Sequence, residues 1–320
     1  MVPVQTSQHE APVSDLASPK QVKGDGSWQN RVYAVLAFLI ALTTAFGASL
    51  WELFSTCYRS DLNSYIVLIP AAALYLLWLE RERLPRTYQP AIGLAMLPLL
   101  IGAAALLTVF WPQIWRHPLG INDRLALITT AYVCFLWSGT LLILGRQWMG
   151  AAAFPMFFLV FLIPLPEVVV ECLENGLRAA SVETADLLFA ATGMPALRTG
   201  NVFQLPNISI EVAEECSGIH SSWILLITSL VAAHMFLSRR LSKAALVVAV
   251  IPLGILRNGF RIMVIGWLCV RFGPDMINTP IHRRGGPLFF ALSLIPFGLV
   301  LWLLRRRELA ARVPTVPDVI

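Results

Sequence analysis

Charge is scarce in this chain. Only 13% of its 320 residues are Asp, Glu, Lys or Arg, against about 25% in soluble domains. With 57% hydrophobic residues and a mean hydropathy of +0.69, that shortage excludes an ordinary soluble domain and makes the bilayer the solvent. Cysteine is sparse and dispersed. Cys57, Cys134, Cys172, Cys216 and Cys269 form no C-x-x-C pair, which argues against zinc and iron–sulfur sites, so no metal or cofactor is expected. Neither G-x-S-x-G nor H-E-x-x-H occurs, so an intramembrane serine or metal protease has no motif to stand on. No internal repeat of the kind that builds many transporters is visible. A net charge of +5 raises the question of nucleic acid, but the basic residues cluster in short loops beside apolar runs, where membrane orientation explains them better.

The long apolar runs define the fold. Eight segments approach the roughly 20 residues a bilayer requires: about 32–51, 62–79, 91–111, 125–144, 149–165, 217–237, 244–272 and 287–304. The expected class is all-α, a polytopic membrane helical bundle of about eight transmembrane helices. The fifth segment is short and ends in "FLIPLP", where Pro164 and Pro166 break a helix. Residues 1–30 are polar and aperiodic and read as a disordered tail, with no cleavable signal peptide. The domain division is a cytoplasmic tail 1–30, a membrane domain 31–305 and a cytoplasmic tail 306–320. The first apolar segment is expected to act as an uncleaved anchor.

Arginine and lysine set the orientation. "ERERLPR" (80–86), "RRLSK" (239–243), "RRR" (305–307) and Arg146 fall on one side of an eight-span topology, together with both termini. The positive-inside bias makes that side cytoplasmic. The opposite side also carries Arg59, Arg116, Arg124, Arg283 and Arg284, so the bias is not absolute. Segment 166–216 is the longest outer piece, between spans five and six. Its first part reads as an amphipathic helix with Leu173, Leu177, Leu187 and Leu188 as the apolar stripe and Glu174, Arg178 and Glu183 elsewhere. Gly193, Pro195 and Gly200 break it, and "NVFQLPNISIEVAEE" reads as an extended or hairpin element.

Ionisable groups at membrane depth are costly and therefore candidate functional groups. Three clusters fall on the outer side at similar depth: Cys216 in "EVAEECSGIHSSW" (211–223), "RNGFRI" (257–262) and "IHRRGG" (281–286). A cysteine at a helix N-terminus feels the positive dipole end, which favours the thiolate. Backbone amides near Ser217 and Gly218 can donate to an oxyanion. A histidine can activate the thiol and protonate a leaving amine. An arginine can stabilise developing negative charge. Together these describe thiol acyl transfer. His220, four residues after Cys216 on a shared helical face, rivals His282 as the base. Arg257 and Arg261 are likewise four apart, with Asn258 beside Arg257 and Glu215 beside Cys216.

Plainer readings suit other residues. Cys134 and Cys269 are apolar fillers. Arg271 snorkels to the interface, and Arg257 does so in part. His9, His117 and His234 are expected to be chemically inert, and a Cys57–Cys172 disulfide is an open possibility.

The order "EVAEECSGIHSS", "NGFRI", "HRRGG" on the last spans resembles the exosortase/archaeosortase family, as do "FLIPLP" and "YIVLIPAAALYLLW" (65–78). The likeness covers roughly residues 30–305. It implies a multi-pass transpeptidase of the bacterial inner membrane, acting on exported proteins that carry a C-terminal sorting signal: a Pro-Glu-Pro-like motif, a transmembrane helix and a basic tail. It places the nucleophile on Cys216, the arginine on Arg261 and the histidine on His282, facing the extracytoplasmic side. The acceptor nucleophile is left open. The competing reading is a non-catalytic transporter or assembly subunit in exopolysaccharide or envelope export, in which Cys216→Ala and Arg261→Ala are tolerated.

Overall fold

A computed structural model describes residues 25–60, 62–111, 119–206, 208–212, 217–273 and 286–311. The described chain is a helical bundle with one small sheet. Five helices are long and apolar enough to cross a membrane: α4 (Ile92–Phe110), α5 (Ile121–Ile143), α9 (Ile219–Phe236), α10 (Arg240–Phe272) and α11 (Gly286–Ala310). The other apolar segments are broken. α1 (Asp25–Ala45) and α2 (Gly47–Arg59) meet at 69°, at Phe46, whose ring is wedged edge-on against Tyr132 and Phe135. The second apolar segment is a 3₁₀ turn, Ser64–Leu68, running into α3 (Ile69–Leu79), and is short for a span. The fifth divides into α6 (Arg146–Ala151), α7 (Ala153–Phe158) and a 3₁₀ turn, Leu159–Leu162. Five to seven spans therefore satisfy length and composition, against the eight expected.

The proline-rich stop behaves as the sequence implies. Ile163 to Pro166 is not helical, and α8 (Glu167–Ala191) leaves at 91°. The chain cannot continue straight, because proline lacks the donor and clashes with the preceding turn. α8 is amphipathic, but not along the leucine stripe. Its buried residues are Ser181, Val182, Ala185 and Phe189, while Leu187 is 72% exposed. Small residues face inward because α8 packs closely on α10. A Cβ on Gly259 would lie 2.7 Å from Thr184, and one on Gly266 would lie 2.8 Å from Phe189.

The extended element after α8 is a three-stranded antiparallel sheet: β1 (Leu197–Thr199), β2 (Val202–Leu205) and β3 (Ile208–Glu211). It adds a small β component to the expected all-α class. Gly200, at φ 63°, turns β1 into β2. Phe203, Leu205 and Ile210 pack with Val182, Ala185 and Phe189 of α8 and with Ile262, Ile265 and Cys269 of α10. α8 and the sheet thus coat the C-terminal half of α10.

α10 has 33 residues and is about 50 Å long, against a hydrocarbon core of about 30 Å. Counted from Ala244, just past the basic turn, about 20 residues reach the far boundary near Met263. From Gly259 onward, α8 and the sheet cover one side of the helix. Arg257, Asn258 and Arg261 lie in the last two turns before that boundary.

At the opposite end the chain is tied down by carboxylates. Glu308 of α11 is buried, and its two oxygens accept from the backbone amides of Ser238 (2.8 Å) and Arg239 (2.9 Å). The N-cap of α10, Arg239, has no capping side chain of its own, so an acid from 69 residues away supplies the cap. His234 is not a bystander. Its Nε2 lies 2.6 Å from Glu80 Oε1, and its ring stacks on Phe154 with centroids 3.8 Å apart. Cys57 and Cys172 are both free thiols, the first buried and the second exposed, so no disulfide joins them.

Candidate active site

Of the nine residues singled out, Ser217, Gly218, His220, Arg257, Asn258 and Arg261 fall within the described chain. Glu215, Cys216 and His282 lie outside the described residues.

α9 does not begin where the 216–220 spacing suggested. Gly218 is left-handed, with φ 72° and ψ 15°, and the helix starts at Ile219. His220 stands in the first turn of that helix, after the left-handed Gly218. Ser217 is buried, with its hydroxyl 3.4 Å from the Ile219 amide. Ser222 donates its amide to the Gly218 carbonyl at 3.0 Å, closing the first turn.

That turn is held by α10. Arg257 is 8% exposed, and its Nη2 donates to the Gly218 carbonyl and to Ser222 Oγ, each at 3.2 Å. Asn258, 2% exposed, presses on Gly218 from the same side. A Cβ at residue 218 would lie 3.0 Å from Asn258 Cγ and Oδ1 and 3.2 Å from Arg257 Nη2. Gly218 is thus required twice, by its backbone conformation and by the approach of α10. Gly254 allows the same approach one turn earlier, where a Cβ would meet Ser222 Oγ at 2.8 Å. Arg257 is buried inside the bundle and does not snorkel.

Arg261 faces the other side of this junction. With Asn258 and Ile262 it lines a cavity of about 30 Å³ closed by Ile210, Glu211 and Val212 at the end of β3. α10 therefore touches the chain at Val212 through the Arg261 cavity and again at Gly218 through Arg257. The four residues that join these anchor points, 213–216, include Glu215 and Cys216.

Buried side-chain nitrogens in this region without a hydrogen-bond partner among the described residues include Arg257 Nη1 and His220 Nδ1. An unpartnered buried guanidinium nitrogen is expensive unless something else accepts from it. Sequence reasoning did not find Ser222, Glu211 and Val212. Ser222 was legible in part, as one helical turn beyond Gly218 in "GIHSS". The end of β3 was not, since only the fold of the sheet onto α10 brings it there.

A model of the transmembrane exosortase family matches residues 51–299, from α2 to α11. The chain belongs to the transmembrane exosortase family. No curated protein and no solved structure matches it. The matched span takes in the first turn of α9, the Arg257–Arg261 face of α10 and the segment leading into α11. The polar junction of this exosortase thus lies within the family-defining part of the chain.

Proposed function

We propose that this exosortase is a membrane-embedded cysteine peptidase and transpeptidase that cleaves the C-terminal sorting signals of exported proteins. The observation that carries the reading is the pair of contacts that α10 makes on described residues, Arg261 lining a cavity with Glu211 and Val212, and Arg257 and Asn258 meeting Gly218. In the sequence Cys216 falls between these two contact points, which supports a role for the guanidiniums of Arg257 and Arg261 next to its thiol. The return of the chain favours His282 as the third partner, since Phe289 of α11 packs against Phe260, the neighbour of Arg261, with ring centroids 6.3 Å apart.

In this mechanism His282 accepts the Cys216 proton, and the thiolate attacks the scissile carbonyl carbon. Arg261, with amides near Ser217 and Gly218, stabilises the oxyanion. The tetrahedral centre collapses, the C–N bond breaks, and His282 returns the proton to the departing amine. A thioester remains on Cys216. An acceptor nucleophile, or water, attacks it and releases the thiol. The substrate is an exported protein with a short motif, a transmembrane helix and a basic tail, and its helix docks laterally in the bilayer. The site faces the extracytoplasmic side of the bacterial inner membrane, with both termini cytoplasmic.

Co-expression with a tagged substrate bearing such a signal tests the chemistry. Wild type yields the shortened product, and Cys216→Ala yields none. Normal processing by Cys216→Ala overturns the proposal. A membrane-impermeant thiol reagent applied to a Cys172→Ser background tests the sidedness. Cys216 should label from outside intact cells, and labelling only after lysis would reverse the orientation.

A further inference from the structure

A large groove shares no lining residue with the polar junction. It lies between α1, α3, α5 and the α6–α7 segment, and holds about 600 Å³. Its floor is buried, with Ala73, Thr140, Leu144 and Trp148 all under 9% exposed. Its rim is open and aliphatic: Val32 is 38% exposed, Leu36 49% and Leu74 68%. Along α1 the groove runs from Trp28 to Leu39, about 16 Å at 1.5 Å per residue, or roughly half the hydrocarbon thickness. It therefore spans one leaflet and opens sideways to lipid.

One end carries charge. Arg81 and Arg86, in the loop after α3, line the groove at the level of Trp28. Among the described residues Arg86 has no ion pair, and Arg81 reaches the exposed Glu82 at 3.9 Å, the Trp78 carbonyl at 3.4 Å and the ring of Trp78. Arg86 is left without a counter-charge, and the Arg81–Glu82 pair is long and exposed. A purely apolar occupant would leave Arg86 unpaired, whereas a free anion would leave the aliphatic groove empty. An amphiphile with a negative head satisfies both halves.

We propose that this groove binds an anionic phospholipid, with an acyl chain along α1 and the phosphate at Arg81 and Arg86. Tryptophan at the level of the headgroups and basic residues between spanning helices are the chemistry that selects such lipids over zwitterionic ones. Each guanidinium is worth about a fivefold preference.

Native mass spectrometry of the full chain in detergent, with equal phosphatidylglycerol and phosphatidylcholine, tests it. Wild type should retain phosphatidylglycerol several-fold over phosphatidylcholine. The double variant Arg81→Gln/Arg86→Gln should lose that preference while still binding both lipids. Leu36→Trp, which fills the groove with both arginines intact, should lower retention of both. Arg305→Gln/Arg306→Gln, which removes charge elsewhere, should leave the preference unchanged. Equal retention of the two lipids by wild type overturns the proposal. So does a preference that survives the 81/86 double variant, or one that falls as far in the 305/306 variant.

Discussion

The two ends of α9 hold buried polar groups of different kinds. At its C-terminal end, Glu308 spends both carboxylate oxygens on the amides of Ser238 and Arg239, and His234 closes on Glu80. At its N-terminal end, Arg257 spends Nη2 on Gly218 and Ser222 but leaves Nη1 without an acceptor among the described residues. His220 Nδ1 is in the same state. The first end is a lock between helices. Glu80 Oε2 at the first end also lacks a partner among the described residues, so the ends differ in what is left over: a carboxylate oxygen at the first, guanidinium and imidazole nitrogens at the second. A leftover guanidinium nitrogen can donate to a carbonyl, and a leftover carboxylate oxygen cannot.

Substitutions at the two ends should therefore separate activity from stability. The largest effect is expected from Arg261→Ala. Processing should fall on the order of 10²–10³-fold, as for loss of an oxyanion donor, with little change in thermal unfolding. A variant that processes normally would remove Arg261 from the chemistry. Glu308→Ala should do the reverse. Loss of its two charge-assisted bonds should cost about 2–3 kcal/mol, seen as a lower midpoint in detergent, while processing per folded molecule stays near wild type.

Gly218→Ala tests the junction between these extremes. The left-handed conformation and the 3.0 Å approach of Asn258 should cost about 1–3 kcal/mol. Processing should drop further than stability, since the first turn of α9 must shift. Equal losses in both would mean that the turn is only structural.

The smallest effect lies on the roof. Arg198 donates to Glu183 at 2.8 Å and holds that exposed carboxyl below the usual carboxylate range. A carboxylate lowered in the folded state stabilises above its unfolded pKa, and the contribution disappears as pH falls through the lowered value. Glu183→Gln should accordingly narrow the gap to wild type in melts taken from pH 6 down to pH 3. A constant gap would show that the pair contributes nothing through ionisation.

Much of the architecture was legible before any coordinates. Long apolar runs mark helices because unsatisfied backbone cannot sit in lipid. "FLIPLP" marks a break because proline cannot continue a helix. The polar residues at 217–220 and 257–261 stood out because charge at membrane depth is expensive. Packing partners were not legible. The leucines of α8 looked like its buried stripe, yet Leu187 is exposed, because the neighbour is a helix that admits only Thr184, Ala185 and other small residues at Gly259. The bend at Phe46 carries no proline signal and follows from the aromatic contacts with α5. His234 looked inert, because its partner is 154 residues away.

What the sequence determined by itself is the solvent of this protein, the rough extent of its helices and the residue types able to carry thiol chemistry. These depend on composition and local periodicity. Only the tertiary structure decided that Arg257 holds Gly218, that Arg261 faces the end of β3, and that Glu308 caps α10. Those contacts arise from the close approach of elements distant in the chain, and that approach depends on where glycine permits two backbones to meet.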